Sequence, residues 1–242
     1  MAYNIKLKNI EFAFEASGKI LDGVSFTANA GEVIAIISGV GGGKSTFLKV
    51  CSGLLEPEVG DVIIGNKNVW NLSTIERNEM RSTMGFDFQE SALIANMTIA
   101  QNLMLPLNYH RRLKSHEAEK QIEDWLKKLK LIEFKDSLPA ALSFGLRRRV
   151  SFIRSMLCGS EAFFWDEPAQ AADELYWKVI SETITRKKGA GILSIVATQS
   201  RFLLEDVCDR FVLLDGGKIV LEGDVRDSAK MSELGNYEVL RR

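Results

Sequence analysis

The run Ser38-Gly39-Val40-Gly41-Gly42-Gly43-Lys44-Ser45-Thr46 constrains this chain more than any other stretch. It follows Gly31-Glu32-Val33-Ile34-Ala35-Ile36-Ile37, a β-branched apolar run that reads as a strand buried on both faces. It precedes a segment from Lys44 to Cys51 that reads as helix. Gly41, Gly42 and Gly43 carry no Cβ, so the backbone can curl and aim its N–H groups at anionic oxygens. The helix N-terminus behind the turn adds a favourable field for an anion. Lys44 supplies a cation for the β- and γ-phosphates of a nucleotide, and Ser45 a hydroxyl for Mg²⁺. Strand, glycine turn, lysine, hydroxyl and helix together spell a phosphate-binding loop. Gly39, Gly41, Gly42, Gly43, Lys44, Ser45 and Thr46 are read as its nucleotide-holding residues. The strict pattern opens on glycine; this chain has Ser38 there, a small residue at a strand exit.

A second constellation lies about 120 residues on, where Ala162-Phe163-Phe164-Trp165 ends in Asp166-Glu167. A buried strand can hold Asp166 near Mg²⁺, while Glu167, one residue further, points elsewhere and can polarise an attacking water.

The remaining chemistry of the chain narrows its partners. Lys plus Arg number 31 against 32 Asp plus Glu, which leaves no global basic field for nucleic acid. Cys51, Cys158 and Cys208 are too few and too scattered for a disulfide framework or a zinc site and read as core residues in a reducing compartment. Met1 to Ile10 lacks the apolar core of a signal peptide. No stretch reaches the roughly 18 consecutive apolar residues of a membrane-spanning helix, so membrane contact is expected through a partner.

Alternation over Ile5–Phe14 and the short run Val24–Ala28 predict strands, as does Gly60–Val69. Ile75–Met84 reads as a polar helix and Gly85–Gln89 as a short strand. From Ser91 to Ser160 the pattern turns helical, with Ile122, Trp125, Leu126 and Leu129 on one stripe. Strand and helix then alternate again, through a helix at Glu174–Arg186 and the strand Gly191–Thr198. A hairpin follows, turning at Asp215-Gly216-Gly217. The expected fold is α/β: a mostly parallel sheet flanked by helices, an N-terminal antiparallel β subdomain and an inserted all-helical subdomain. The whole chain, 1–242, reads as one domain, with 1–89 and 161–242 as nucleotide-binding core and 90–160 as the helical part.

With these motifs in place the chain resembles the ABC ATPase family over almost its whole length. The phosphate loop and Asp166-Glu167 match the family's two Walker motifs, and Gln89 matches its Q-loop glutamine, which contacts Mg²⁺ and water. Leu142-Ser143-Phe144-Gly145-Leu146 lies where the family has its LSGGQ signature, and Asp173 at its D-loop aspartate. Phe14 sits where an aromatic stacks on adenine, with Phe12 as the fallback. The resemblance implies a head-to-tail dimer, with the same chain or a related one, in which Ser143 and Gly145 of one subunit meet ATP held by the other. It also implies ATP and Mg²⁺ as ligands, Ser45, Gln89 and Asp166 around the metal, and a separate transmembrane permease. The chain would lie peripherally on the cytoplasmic face of the cell membrane. Ser91–Leu107 is similar to the matching segment in ATPases of MCE lipid-transport systems such as the bacterial Mla phospholipid machinery, whose signature also ends in Arg-Arg. Exposed apolar residues at Ala92-Leu93-Ile94 and Met97 are expected to dock the permease.

Three departures from the family pattern stand out. Phe144 replaces the first signature glycine, Gln199 stands where the family has a switch histidine touching the γ-phosphate, and Pro168–Ala172 lacks the usual hydroxyl residues. Glutamine donates a neutral hydrogen bond and cannot become a cation. The expected activity is therefore slow ATP hydrolysis with Glu167, Gln89 and Gln199 at the reacting phosphate. The alternative is a nucleotide-gated regulatory subunit of a cell-envelope complex that binds ATP and hydrolyses little.

Overall fold

Apolar–polar alternation makes β1 (Ile5–Phe12) and β2 (Leu21–Ala28) half-buried strands. They pair antiparallel in a four-stranded sheet ordered β2-β1-β4-β5, with β4 at Val59–Ile64 and β5 at Lys67–Asn68. The computed structural model describes residues 3–15, 18–110, 115–159 and 161–240. The single strand expected over 60–69 is two: the chain reverses after Ile64 through Gly65, at φ +61°, and Ile64 pairs with Lys67. Only glycine takes that left-handed backbone cheaply.

The second sheet has six strands in the order β10-β9-β3-β8-β7-β6. Its parallel body is β3 (Val33–Ser38), β6 (Met84–Asp87), β7 (Ala162–Asp166), β8 (Leu193–Ala197) and β9 (Arg210–Asp215). β10 (Lys218–Asp224) closes the edge antiparallel to β9 through the expected hairpin. Every residue of β3, β7 and β8 is buried, as continuous apolar runs covered on both faces require.

Alternate residues of β3 face different cores. Ile34 and Ile36 pack with Phe47, Leu48 and Val50 of α1 (Lys44–Cys51) and with Ile5, Leu7 and Phe26 of the antiparallel sheet. Ala35 and Ile37 pack under α7 (Arg201–Val207) and α8 (Ser228–Gly235), through Leu204 and Leu234. α1 is thus sandwiched between two sheets, which anchors the loop before it.

α2 (Thr74–Ser82) starts on a capping box between Ser73 and Glu76. Between β6 and β7 lie α3 (Ile99–His110), α4 (Ser115–Lys128) and α5 (Phe144–Cys158). Of the expected stripe, Ile122 and Leu126 of α4 and Leu129 just beyond it are buried and Trp125 is partly buried, joining a core with Phe152 and Ile153 of α5 and Phe163 and Trp165 of β7. α6 (Glu174–Gly189) is capped by Asp173, whose carboxylate accepts from the Tyr176 N–H at 2.9 Å, and adds Tyr176 and Ile180 to that core.

Candidate nucleotide site

The four functional segments leave the carboxyl ends of neighbouring parallel strands, where open α/β sheets form their crevices. Ser38 ends β3, Gln89 follows β6, Asp166 ends β7, and Gln199 follows β8. They meet in a cleft of about 660 Å³ lined by Val40 to Thr46, Gln89, Asp166, Glu167, Gln170 and Gln199.

The loop's shape is set by its glycines. Gly41 and Gly43 take φ of +74° and +90°, and a Cβ on Gly42 would meet the Ser38 Oγ at 2.6 Å. Ser38, standing where the strict pattern has glycine, is wholly buried, and its hydroxyl donates to the Gly39 oxygen at 2.9 Å. Gly43 is the N-cap of α1 and supplies no side-chain acceptor, so the leading N–H groups of the helix have no capping side chain. That is the arrangement an anion completes.

Lys44 Nζ sits 3.4 Å from both the oxygen and the hydroxyl of Ser38 and 3.8 Å from Glu167 Oε1. The other carboxylate oxygen of Glu167 accepts from the Gln199 N–H at 3.3 Å and the Thr198 hydroxyl at 3.5 Å. Glu167 has a left-handed backbone, φ +50°, which turns its side chain out of the strand's alternation. Gln199 directs its amide to the Ser38 oxygen at 3.0 Å.

Asp166 is nearly wholly buried, and its Oδ1 has no hydrogen-bond partner. Burial holds its pKa above the ordinary carboxylate value, against the opposing pull of the Ser45 hydroxyl beside it. An orphaned buried carboxylate oxygen next to a hydroxyl, at the foot of a phosphate loop, fits Mg²⁺, which takes one or two carboxylates and completes its octahedral shell with other oxygens, phosphate and water among them. Among the described residues no cluster of three His, Cys, Asp or Glu side chains could hold a metal ion.

Residues 21–170 match the family model described as ABC transporter. This chain belongs to the ABC transporter family. Among curated ABC relatives, the methionine import ATP-binding protein MetN of Haemophilus ducreyi is 31% identical over 228 residues, covering 92% of this chain and 66% of that protein. MetN of Clostridium tetani is 31% identical over 224 residues, covering 92% and 70%. The chain thus spans about two thirds of the length of the curated relatives it matches. Among solved structures, the ATP-binding cassette MJ0796, a dimer in a post-hydrolysis state bound to ADP and Pi, superposes with a TM-score of 0.84. It is 27% identical, with 92% of this chain and 99% of that one covered.

Against the ABC pattern, the structure brings Gly41 to Thr46, Gln89, Asp166, Glu167 and Gln199 into one cleft. Gly39 sits at the start of the loop and accepts the Gly42 N–H at 3.2 Å. Phe14 is half exposed, packs edge-on against Phe12 at 5.0 Å, and is not part of the cleft wall; Phe12 belongs to the core. Ile20 lines the cleft instead, with its oxygen 3.2 Å from a Cβ placed on Gly43. Ser143 caps α5, its hydroxyl accepting from the Leu146 N–H at 3.4 Å. Neither Ser143 nor Gly145 lines this cleft, while Phe144 stands 41% exposed beside them. The Asp173 carboxylate pairs with Arg149 of α5. Of the expected docking residues, Ala92 and Ile94 are exposed, whereas Leu93 packs against the helical core. A charge at Leu93 would therefore disturb packing, and Ile94 is the better probe. Sequence reading missed one feature, the buried ion pair of Arg148 with Asp87; its signal was a carboxylate inside the apolar strand Met84-Gly85-Phe86-Asp87.

Proposed function

We propose that this chain binds Mg-ATP in the cleft and hydrolyses it, dimerising with a second ATPase subunit around the nucleotide to power a separate transmembrane permease. The observation that carries the reading is the orphaned Asp166 Oδ1 beside Ser45, at the base of a glycine loop whose helix has no side-chain cap. In this reading Lys44 leaves Ser38 and Glu167 to hold the β- and γ-phosphates. Main-chain N–H groups from Gly41 to Thr46 grip the remaining oxygens. Ser45, Asp166 and Gln89 hold Mg²⁺, which, when bound, offsets charge on the phosphate oxygens. Glu167, released from Lys44, orients the attacking water and accepts its proton. Gln199 donates one neutral hydrogen bond towards the γ-phosphate. Ser143 and Gly145 act on the ATP of the partner subunit. Residues 1–89 and 161–242 serve as the nucleotide-binding core and 90–160 as the helical arm that meets the permease.

Among the described residues no helix is long and apolar enough to cross a membrane, which suits a peripheral place on the cytoplasmic face beside a permease. The finer reading of lipid transport rests on Ser91–Leu107 and Arg148-Arg149 alone. The curated relatives named above are methionine import proteins and lend it no support, so cargo choice is assigned here to the permease. The test is a Mg-ATP titration with steady-state hydrolysis. Lys44→Ala is expected to weaken ATP binding at least about tenfold with the fold intact, and Glu167→Gln to keep binding while abolishing turnover. ATP affinity unchanged by Lys44→Ala, or full activity in Glu167→Gln, overturns the assignment.

A further inference from the structure

The guanidinium of Arg148 is wholly buried one turn into α5. Its Nη2 donates to the main-chain oxygens of Asp166 and Glu167, both at 3.0 Å, and to Asp87 Oδ2 at 3.2 Å. Its Nη1 donates to the main-chain oxygen of Phe88. Those carbonyls belong to the peptide bonds on either side of Glu167 and to the one directly before Gln89. The other Asp87 oxygen accepts the Ser151 hydroxyl at 2.6 Å, and the Arg148 oxygen accepts the Tyr176 hydroxyl at 3.2 Å, so helices α5 and α6 both brace the cluster.

We infer that Arg148 is a positioning residue: one guanidinium sets the geometry of Glu167 and of the Gln89 segment relative to each other. The role rests on the hydrolytic reading proposed above. Two physical points support it. A buried ion pair is a weak source of stability, since apolar side chains of like volume often replace one without loss, so charge balance alone gives little reason for this one. Glu167 holds a left-handed backbone that a non-glycine residue keeps only when its surroundings impose it, and Arg148 grips the carbonyls at both ends of that residue. Arg148 does not itself line the cleft; it reaches the cleft only through the main chain of Asp166 and Glu167.

The experiment compares wild type, Arg148→Lys, Arg148→Gln and the double variant Asp87→Asn/Arg148→Gln in the full chain. The readouts are thermal unfolding, Mg-ATP affinity, kcat and KM, and amide hydrogen exchange over 84–90 and 162–170. Arg148→Gln leaves Asp87 buried without its partner and is expected to unfold at lower temperature. The double variant removes the stranded charge and is expected to recover the unfolding midpoint. If Arg148 positions the two segments, kcat stays down about 100-fold in both variants with ATP affinity near wild type, as misplacement of a reacting group by about 1 Å does. Exchange rises over both segments together, and Arg148→Lys restores part of the rate. A double variant that hydrolyses at the wild-type rate, or unchanged exchange over both segments, overturns the inference. Should wild type bind Mg-ATP without any turnover, the hydrolytic reading fails, and exchange over the two segments alone decides whether Arg148 holds them.

Discussion

The main-chain oxygen of Ser38 accepts the Gln199 amide at 3.0 Å, across 161 residues of sequence, and Lys44 Nζ approaches the same oxygen at 3.4 Å. The end of β3 is therefore tied to the end of β8 at the mouth of the phosphate loop. Gln199 stands where relatives in the resemblance carry a histidine, and a neutral amide engaged with a carbonyl offers no positive charge to a developing phosphate anion. Gln199→His is expected to raise kcat roughly tenfold, equivalent to about 1.4 kcal/mol of barrier. Steady-state hydrolysis with the membrane partner present measures it. Unaltered or lower turnover means that the tie to Ser38 matters more than charge.

Phe144 opens α5 with its ring 41% exposed, next to the Ser143 cap. In the proposed dimer the ring faces the partner's nucleotide, where a glycine would leave room. Phe144→Gly is expected to strengthen ATP-driven dimerisation without altering the monomer's ATP affinity. Sedimentation in the Glu167→Gln background reads this directly. A weaker dimer would show that the ring contributes contact area instead of crowding.

Ile94 is 40% exposed on a loop that is held from beneath. The buried Asn102 side chain accepts the Ile94 N–H at 2.8 Å and donates to the oxygens of Ile94, Met97 and Thr98 at 3.0 to 3.1 Å. An ordered loop presenting an apolar side chain suits permease docking. Ile94→Glu is expected to release the chain from membranes carrying the permease, with its circular dichroism and ATP affinity unchanged. Membrane association that persists places the docking surface elsewhere.

Asp173 caps α6 and pairs with Arg149. The Tyr176 N–H, followed by the Arg149 charge, holds its carboxyl below the usual value of 3.8. A depressed carboxyl pKa means stability that is complete above that usual value and lost as pH falls through the lower, folded one. Asp173→Ala is expected to cost about 1 kcal/mol at neutral pH, the ordinary worth of an N-cap. The difference between variant and wild type should shrink under strongly acidic conditions. Urea unfolding at neutral and acidic pH checks both the size and the sign.

The phosphate loop, the Asp166-Glu167 pair and the α/β alternation were legible in the chain because each is contiguous. Val33–Ile37 buries on both faces whatever surrounds it, and Gly41 to Ser45 carry their backbone freedom, charge and hydroxyl in one run. The break at Gly65 was harder to see, since the two strands meet in the short polar stretch Gly65-Asn66-Lys67-Asn68 and the reversal depends on a single left-handed residue. What the tertiary structure alone decided are contacts between segments far apart in sequence. Sheet order places β3 between β8 and β9, and so brings Ser38 to Gln199. The packing of α5 on β6 and β7 puts Arg148 within reach of Asp87, Phe88, Asp166 and Glu167. It also leaves Phe144 outside and Leu93 against the core. Local sequence specifies a backbone's shape through sterics and propensity. Which side chains share a low-dielectric site is settled by packing, and no spacing along the chain encodes it.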